Sequence, residues 1–171
     1  QGKSTADYAK YLEDRDKKRG KVMSNEIQTI AKWFSDAKPN PTIEDIATQY
    51  GCHLEEFAEG LQVTGDDSAH DEVSCVSDNY KRNTGSYMED LELMSYCEES
   101  RVYLLDALCD QIVTAVGTAQ YMGFDIVGAL NEVIASNDSK RMPDGSFPLD
   151  ENGKITKESP NFFKPDLSKF I

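Results

Sequence analysis

Apolar residues return at helical spacing through most of this chain and alternate almost nowhere. The longest such stretch runs from about Ser86 to Met122: Met88, Leu91, Leu93, Met94, then Val102, Leu105, Leu108, Cys109, Ile112, Val113 and Val116. Gly117, Thr118 and Ala119 near its end suggest close helix packing. A shorter stretch covers 24–37, with Ile27, Ile30, Ala31 and Phe34 in register, Ser24 as its cap, and Pro39 and Pro41 as its stop. A third covers 42–63, opened by Thr42 with Asp45 three places on as a capping pair, and interrupted by Gly51. The last holds Ile126, Val127, Leu130, Val133 and Ile134, after Gly123 as a C′ glycine and Asp125 as an N-cap. A chain patterned this way is expected to form an all-α helical bundle.

The pattern fades at three places. Residues 1–23 are strongly charged, with only Tyr8, Tyr11 and Leu12 as an apolar face, so a peripheral N-terminal helix is expected there. Residues 64–85 are rich in Asp, Ser, Asn and Gly and read as a long polar loop. Residues 141–171 carry Pro143, Pro148, Pro160 and Pro165 with Gly145 and Gly153, and read as an ordered but irregular extension with a hairpin near 153–155. The 171 residues suit a single domain whose helical bundle spans 24–140.

A net charge of −13 repels a phosphate backbone, so no nucleic-acid partner is expected. No apolar run approaches the roughly 18 residues that cross a bilayer, so none of the chain is expected in a membrane. The start of the sequence lacks the form of a secretory signal. The four cysteines, Cys52, Cys75, Cys97 and Cys109, contain no C-x-x-C pair, and two of them sit among apolar helical positions. Free thiols in a cytoplasmic protein are the expectation.

Carboxylates at helical spacing carry the chemistry. In Glu55-Glu56-Phe57-Ala58-Glu59, Glu56 and Glu59 are three apart and share a helix face, as do Glu55 and Glu59, four apart. Asp106 and Asp110 share a face in a stretch otherwise apolar, where a carboxylate is costly unless it is paired or bound to a metal. Facing helices that each bring two carboxylates can build a metal site in a bundle, and Mg²⁺ favours such hard oxygens together with water and phosphate. The E-E-x-x-E string alone also fits a solvated helix stripe. There is no Walker-type glycine loop, so phosphates would be held by metal and basic side chains. Residues 140–171 bring six Lys+Arg against five Asp+Glu in an otherwise acidic chain. Asn137 and Lys140, three apart, can point together at a phosphate or base, or simply close a helix.

Taken in order, the E-E-x-x-E helix, the acidic pair in a long apolar helix, the Gly123-Phe-Asp125 helix start, Ser136-Asn137-Asp-Ser-Lys140, and the tail from Gly153-Lys154 to Pro165-Asp166 resemble a known pattern. It is that of the MazG-like all-α nucleoside triphosphate pyrophosphohydrolases, especially the phage and bacterial phosphoribosyl-ATP-pyrophosphohydrolase-like members. The resemblance covers roughly 40–63 and 86–167. It implies Glu56, Glu59, Asp106 and Asp110 as metal ligands, with Glu55 in support, and Mg²⁺ (or Mn²⁺) as the cofactor. It implies Asn137 and Lys140 near the nucleotide, and a homodimer or homotetramer in the cytoplasm, the host's if phage-encoded. The usual second pair is spaced E-x-x-D, whereas this chain has D-x-x-x-D with Ala107 unable to ligate. The expected reaction converts a (deoxy)nucleoside triphosphate to its monophosphate and pyrophosphate. Glu55 or Glu56 would serve as general base, and Lys140, Lys154 and Lys157 would steady the phosphates. His53 is a candidate base or a surface residue. Trp33 and Tyr121 can stack on a nucleobase or pack in the core, and Phe162 and Phe163 can anchor the tail. The competing expectation is a non-catalytic acidic helical module that binds a basic partner.

Overall fold

A computed structural model of the protein describes residues 26–83 and 87–171. They form six α-helices: α1 Glu26–Ala37, α2 Ile43–Thr64, α3 Asp67–Lys81, α4 Tyr87–Tyr96, α5 Glu98–Tyr121 and α6 Ile126–Asp138. A short 3₁₀ turn follows at Ser168–Phe170, and the described residues contain no strand. The fold is therefore all-α, as the periodicity requires. The helix expected within 1–23 and the Ser24 cap lie outside the described residues.

Thr42 and Asp45 form the expected capping box: the Thr42 side chain accepts from the Asp45 amide, and the Asp45 carboxylate accepts from the Thr42 amide. Gly51 does not break α2. A Cβ there would lie 2.7 Å from the Ser77 carbonyl oxygen and from Lys81 Cγ, so glycine lets a neighbouring helix come close. That neighbour is α3, in the segment read as a polar loop, and the correction has a clear physical basis. Gly65 (φ 89°) closes α2 with a left-handed cap, and the Asp66 side chain accepts from the Ala69 amide to start α3 at once. The helix docks with Ser77 Oγ donating to the Gly51 carbonyl at 2.8 Å inside the contact and with the Tyr80 ring edge-on to Tyr50, centroids 5.0 Å apart. Its apolar stripe is short: Val73, Val76 and Tyr80, all half-buried at helical spacing.

The stretch from Ser86 to Met122 is two helices rather than one. Cys97, extended at ψ 108°, separates α4 from α5. None of α5 is buried, although the sequence marks it as core: Leu105 is 63% and Val113 67% exposed. Among the described residues nothing lies within 4 Å of a Cβ added at Gly117, so the close packing expected there is not made by them. By length and composition α5 also passes as a bilayer-spanning helix, contrary to the sequence expectation. It carries Asp106 and Asp110 mid-length, however, and each would cost roughly 3 kcal/mol at a bilayer centre.

Asp125 caps α6 by accepting from the Gly128 amide, and Gly123 (φ 80°) closes the preceding helix. The extension runs back along α6. Ser136 Oγ donates to the Phe163 carbonyl (2.8 Å), Ser159 Oγ to the Arg141 carbonyl (2.9 Å), and the Asp125 amide to the Phe170 carbonyl (2.9 Å). Phe163 thus anchors the tail through its backbone. The expected hairpin is present as an antiparallel bridge between Leu149 and Ile155, turned by Gly153 at φ 79°.

Candidate functional site

The hairpin delivers Lys154. Its tip rests on the start of α2: a Cβ at Gly153 would meet Asp45 Oδ1 and Lys38 Nζ at 2.9 Å, and Thr48 Oγ1 donates to the Asn152 carbonyl. From there Lys154 Nζ reaches Glu55 Oε2 at 2.9 Å. The other carboxylate oxygen, Oε1, takes Lys81 Nζ from α3 at 3.1 Å, and Lys81 also pairs with Asp78 at 3.2 Å. Burial pushes the Glu55 carboxyl up, but hydrogen bonds from Lys154 and Lys81 outweigh it and leave its pKa lowered. Burial pulls Lys81 down, and its bonds to Glu55 and Asp78 outweigh that and raise it. Lys154 is raised first by its bond to Glu55, against burial. Both ends of the bridge therefore favour the charged forms.

Lys140, at the C-terminal end of α6, adds a third element. Its ammonium lies over the Trp33 ring, 5.9 Å from the centroid, and Trp33 makes edge contacts with Phe34 and Phe147. Burial lowers the Lys140 pKa, and repulsion from Lys157 and Lys154 lowers it further, against attraction from Glu56. Lys157 extends over Phe162, 5.9 Å from its ring centroid. Half-buried Cys52 lies in the same field; burial raises its thiol pKa while Lys154 lowers it. Asn137 sits one turn before Lys140, half-buried. The sequence-derived residues Glu55, Glu56, Lys140, Lys154 and Lys157 are thus brought together. A cleft of about 230 Å³ opens at the Lys81–Lys154 side of this cluster, lined by Thr48, Asp78, Lys81, Arg82, Asp150, Asn152 and Lys154; Glu56, Lys140 and Lys157 do not line it.

The acidic quartet is not assembled within one chain. Glu56 and Glu59 are exposed on α2, and Asp106 and Asp110 are exposed on α5. Among the described residues no three His, Cys, Asp or Glu side chains gather as a metal site. His53 Nε2 donates to Gln111 Oε1, so the Gln111 side of α5 meets α2. Asp110, one residue earlier, lies about 100° around the helix from it. The carboxylates have the hard-oxygen chemistry a divalent cation requires, but the arrangement in one chain does not.

Other candidates separate clearly. Trp33 lies under Lys140, whereas Tyr121 is 94% exposed and packs in no core. Two residues of the cluster escaped the sequence. Lys81 lay in the segment read as loop, where the only available signal was Gly65-Asp66 as a stop followed by a cap. Cys52 was read as packing alone. No protein-family model, curated protein or solved structure matches the chain.

Proposed function

We propose that the protein is a Mg²⁺-dependent nucleoside triphosphate pyrophosphohydrolase, cutting a (deoxy)nucleoside triphosphate to the monophosphate and pyrophosphate. One observation carries this reading. In a chain of net charge −13, Lys140 at the end of α6 and Lys154 and Lys157 from the extension that follows converge near Glu55 and Glu56 of α2. Self-repelling cations persist in a fold when an anion uses them, and a triphosphate is a fitting anion. Lys140 binds phosphate from its place over the Trp33 ring, Lys154 and Lys157 approach from the tail, and Asn137 is available to the nucleoside. Mg²⁺, with Mn²⁺ as substitute, would neutralise phosphate charge and activate water; Glu56, Glu59, Asp106 and Asp110 are the residues to hold it.

The reading includes a homodimer, or a homotetramer built from it, because the apolar face of α5 is left exposed among the described residues. That same face supports a second reading, a non-catalytic helical interaction module. The experiment that separates them measures pyrophosphate release from a panel of canonical and damaged NTPs and dNTPs, with Mg²⁺ and with EDTA. Release from a subset, abolished by EDTA, is expected. Folded protein that releases none from any member with metal present overturns the enzyme reading.

A further inference from the structure

Glu55 belongs to the string that resembles a metal-ligand motif, yet its surroundings give it a different task. Each carboxylate oxygen is taken by a different ammonium: Oε1 by Lys81 of α3 and Oε2 by Lys154 of the hairpin. A carboxylate engaged at both oxygens by cations has little lone-pair capacity left for a metal ion or for a proton taken from water. Glu56 and Glu59, by contrast, are exposed. Lys81 spends two donors, on Glu55 and Asp78, while Lys154 spends one on Glu55. An ammonium has three N–H groups, so Lys154 keeps donors for another acceptor, and it also lines the cleft.

We propose that Glu55 is a positioning residue: with Lys81 as its brace, it holds Lys154 of the C-terminal hairpin at the phosphate site, and it neither ligates metal nor serves as general base. The proposal rests on the pyrophosphohydrolase reading for the identity of the anion. Its physics can be tested without turnover. Lys81 binds Glu55 from one side and fixes its rotamer, and the opposite oxygen then fixes Lys154, whose hairpin is otherwise seated through Thr48, Asp45 and Lys38. A hairpin lysine free of this bridge would spread over many rotamers and bind an anion less well.

Electrostatics alone makes the opposite forecast, which sharpens the test. Removing a negative charge beside three lysines should tighten an anion. The experiment is calorimetric titration of inorganic pyrophosphate into the full-length, metal-free protein and into Glu55→Gln, Lys81→Met and Lys154→Met. The expected result is about tenfold weaker binding in Glu55→Gln, with Lys81→Met moving the same way despite its different charge change, and no further loss when Glu55→Gln is added to Lys154→Met. Tighter or unchanged binding in Glu55→Gln overturns the proposal. Mn²⁺ titration followed by electron paramagnetic resonance supplies a second readout. Affinity within about twofold of the parent in Glu55→Gln is expected, whereas the tenfold or greater loss typical of a lost ligand contradicts it. With a triphosphate that turns over, Glu55→Gln should raise KM about tenfold and leave kcat and its pH profile in place. A fall in kcat with loss of an acidic limb would identify a base instead. Absence of turnover in the parent protein overturns the enzyme reading alone, because the pyrophosphate and Mn²⁺ titrations decide the role of Glu55 separately.

Discussion

Helices α3 and α5 lie at opposite extremes of packing. The first is largely polar, and it is pressed so closely on α2 that Ser77 is among the few fully buried residues and Gly51 has no room for a Cβ. The second is long and apolar, and none of its residues is buried. Burial therefore follows how closely backbones approach, not how hydrophobic a helix is. A close approach needs glycine, serine and a satisfied hydrogen bond, while a broad apolar face needs a partner of matching size. The lysine half of the candidate site sits on the packed region and is built. The aspartates of the acidic half sit on the uncovered helix and are not gathered.

The contrast can be broken most directly at α5. If a second copy covers it, Leu105→Glu combined with Val113→Glu should weaken self-association at least about a hundredfold, since each large apolar side chain contributes roughly 1.5–3 kcal/mol when buried. Sedimentation equilibrium reads this. A parent protein that is monomeric at micromolar concentration would count against the cover, and flotation with lipid vesicles would then identify a membrane as the occupant.

A matched pair of glycines gives the next largest effect. Gly51→Ala should destabilise by about 1–3 kcal/mol, because the new Cβ meets the Ser77 carbonyl and Lys81. Gly117→Ala, with open space around it, should be neutral or gain up to about 1 kcal/mol from helix propensity. Urea denaturation measures both. If the association of Gly117→Ala falls while its monomer stability rises, Gly117 lies in the contact between copies. Ser77→Ala should cost about 1 kcal/mol by removing the second hydrogen bond to the Gly51 carbonyl, which keeps its bond within the helix.

The smallest effect comes from the Glu55 bridge. The lowered pKa of Glu55 means its contribution is present above the ordinary carboxylate range and is lost as pH falls through its folded value. The raised values of Lys81 and Lys154 mean theirs is present below the ordinary lysine range and is lost as pH rises through the folded values. The difference in stability between the parent and Glu55→Gln should thus be flat between those ranges and shrink on both sides. It should amount to about 0–1 kcal/mol, because all three side chains are partly solvated. A difference that grows on acidification would contradict the assigned sign.

Most of the helices were legible because apolar spacing, caps and stops agreed: Thr42 with Asp45, Asp125, Gly123 and Pro39 each mark a boundary near where the helices begin or end. α3 was hard to read because its closest contact is Ser77 against a glycine and its periodic signature is only Val73, Val76 and Tyr80 among polar residues. The break at Cys97 was hidden because the apolar period continues on both sides of it. At the candidate site, Lys140, Lys154 and Lys157 were legible as cations near loop and helix ends. Lys81 was lost with the helix that carries it. The separation of Asp110 from Glu56 could not be read from spacing, which fixes a face within one helix but not the rotation of one helix against another.

The central claim is that the uncovered aspartates of α5 and the assembled lysines belong to one enzyme site. The most direct test is the rate of Mg²⁺-dependent pyrophosphate release by Asp110→Asn, measured on the triphosphate the parent protein turns over fastest, with circular dichroism and pyrophosphate binding recorded on the same sample. The account predicts a loss of about a hundredfold or more, with helicity and anion binding intact, as expected when a residue that holds a catalytic metal is removed. Undiminished release from Asp110→Asn would contradict it and leave Asp110 as ordinary solvated charge.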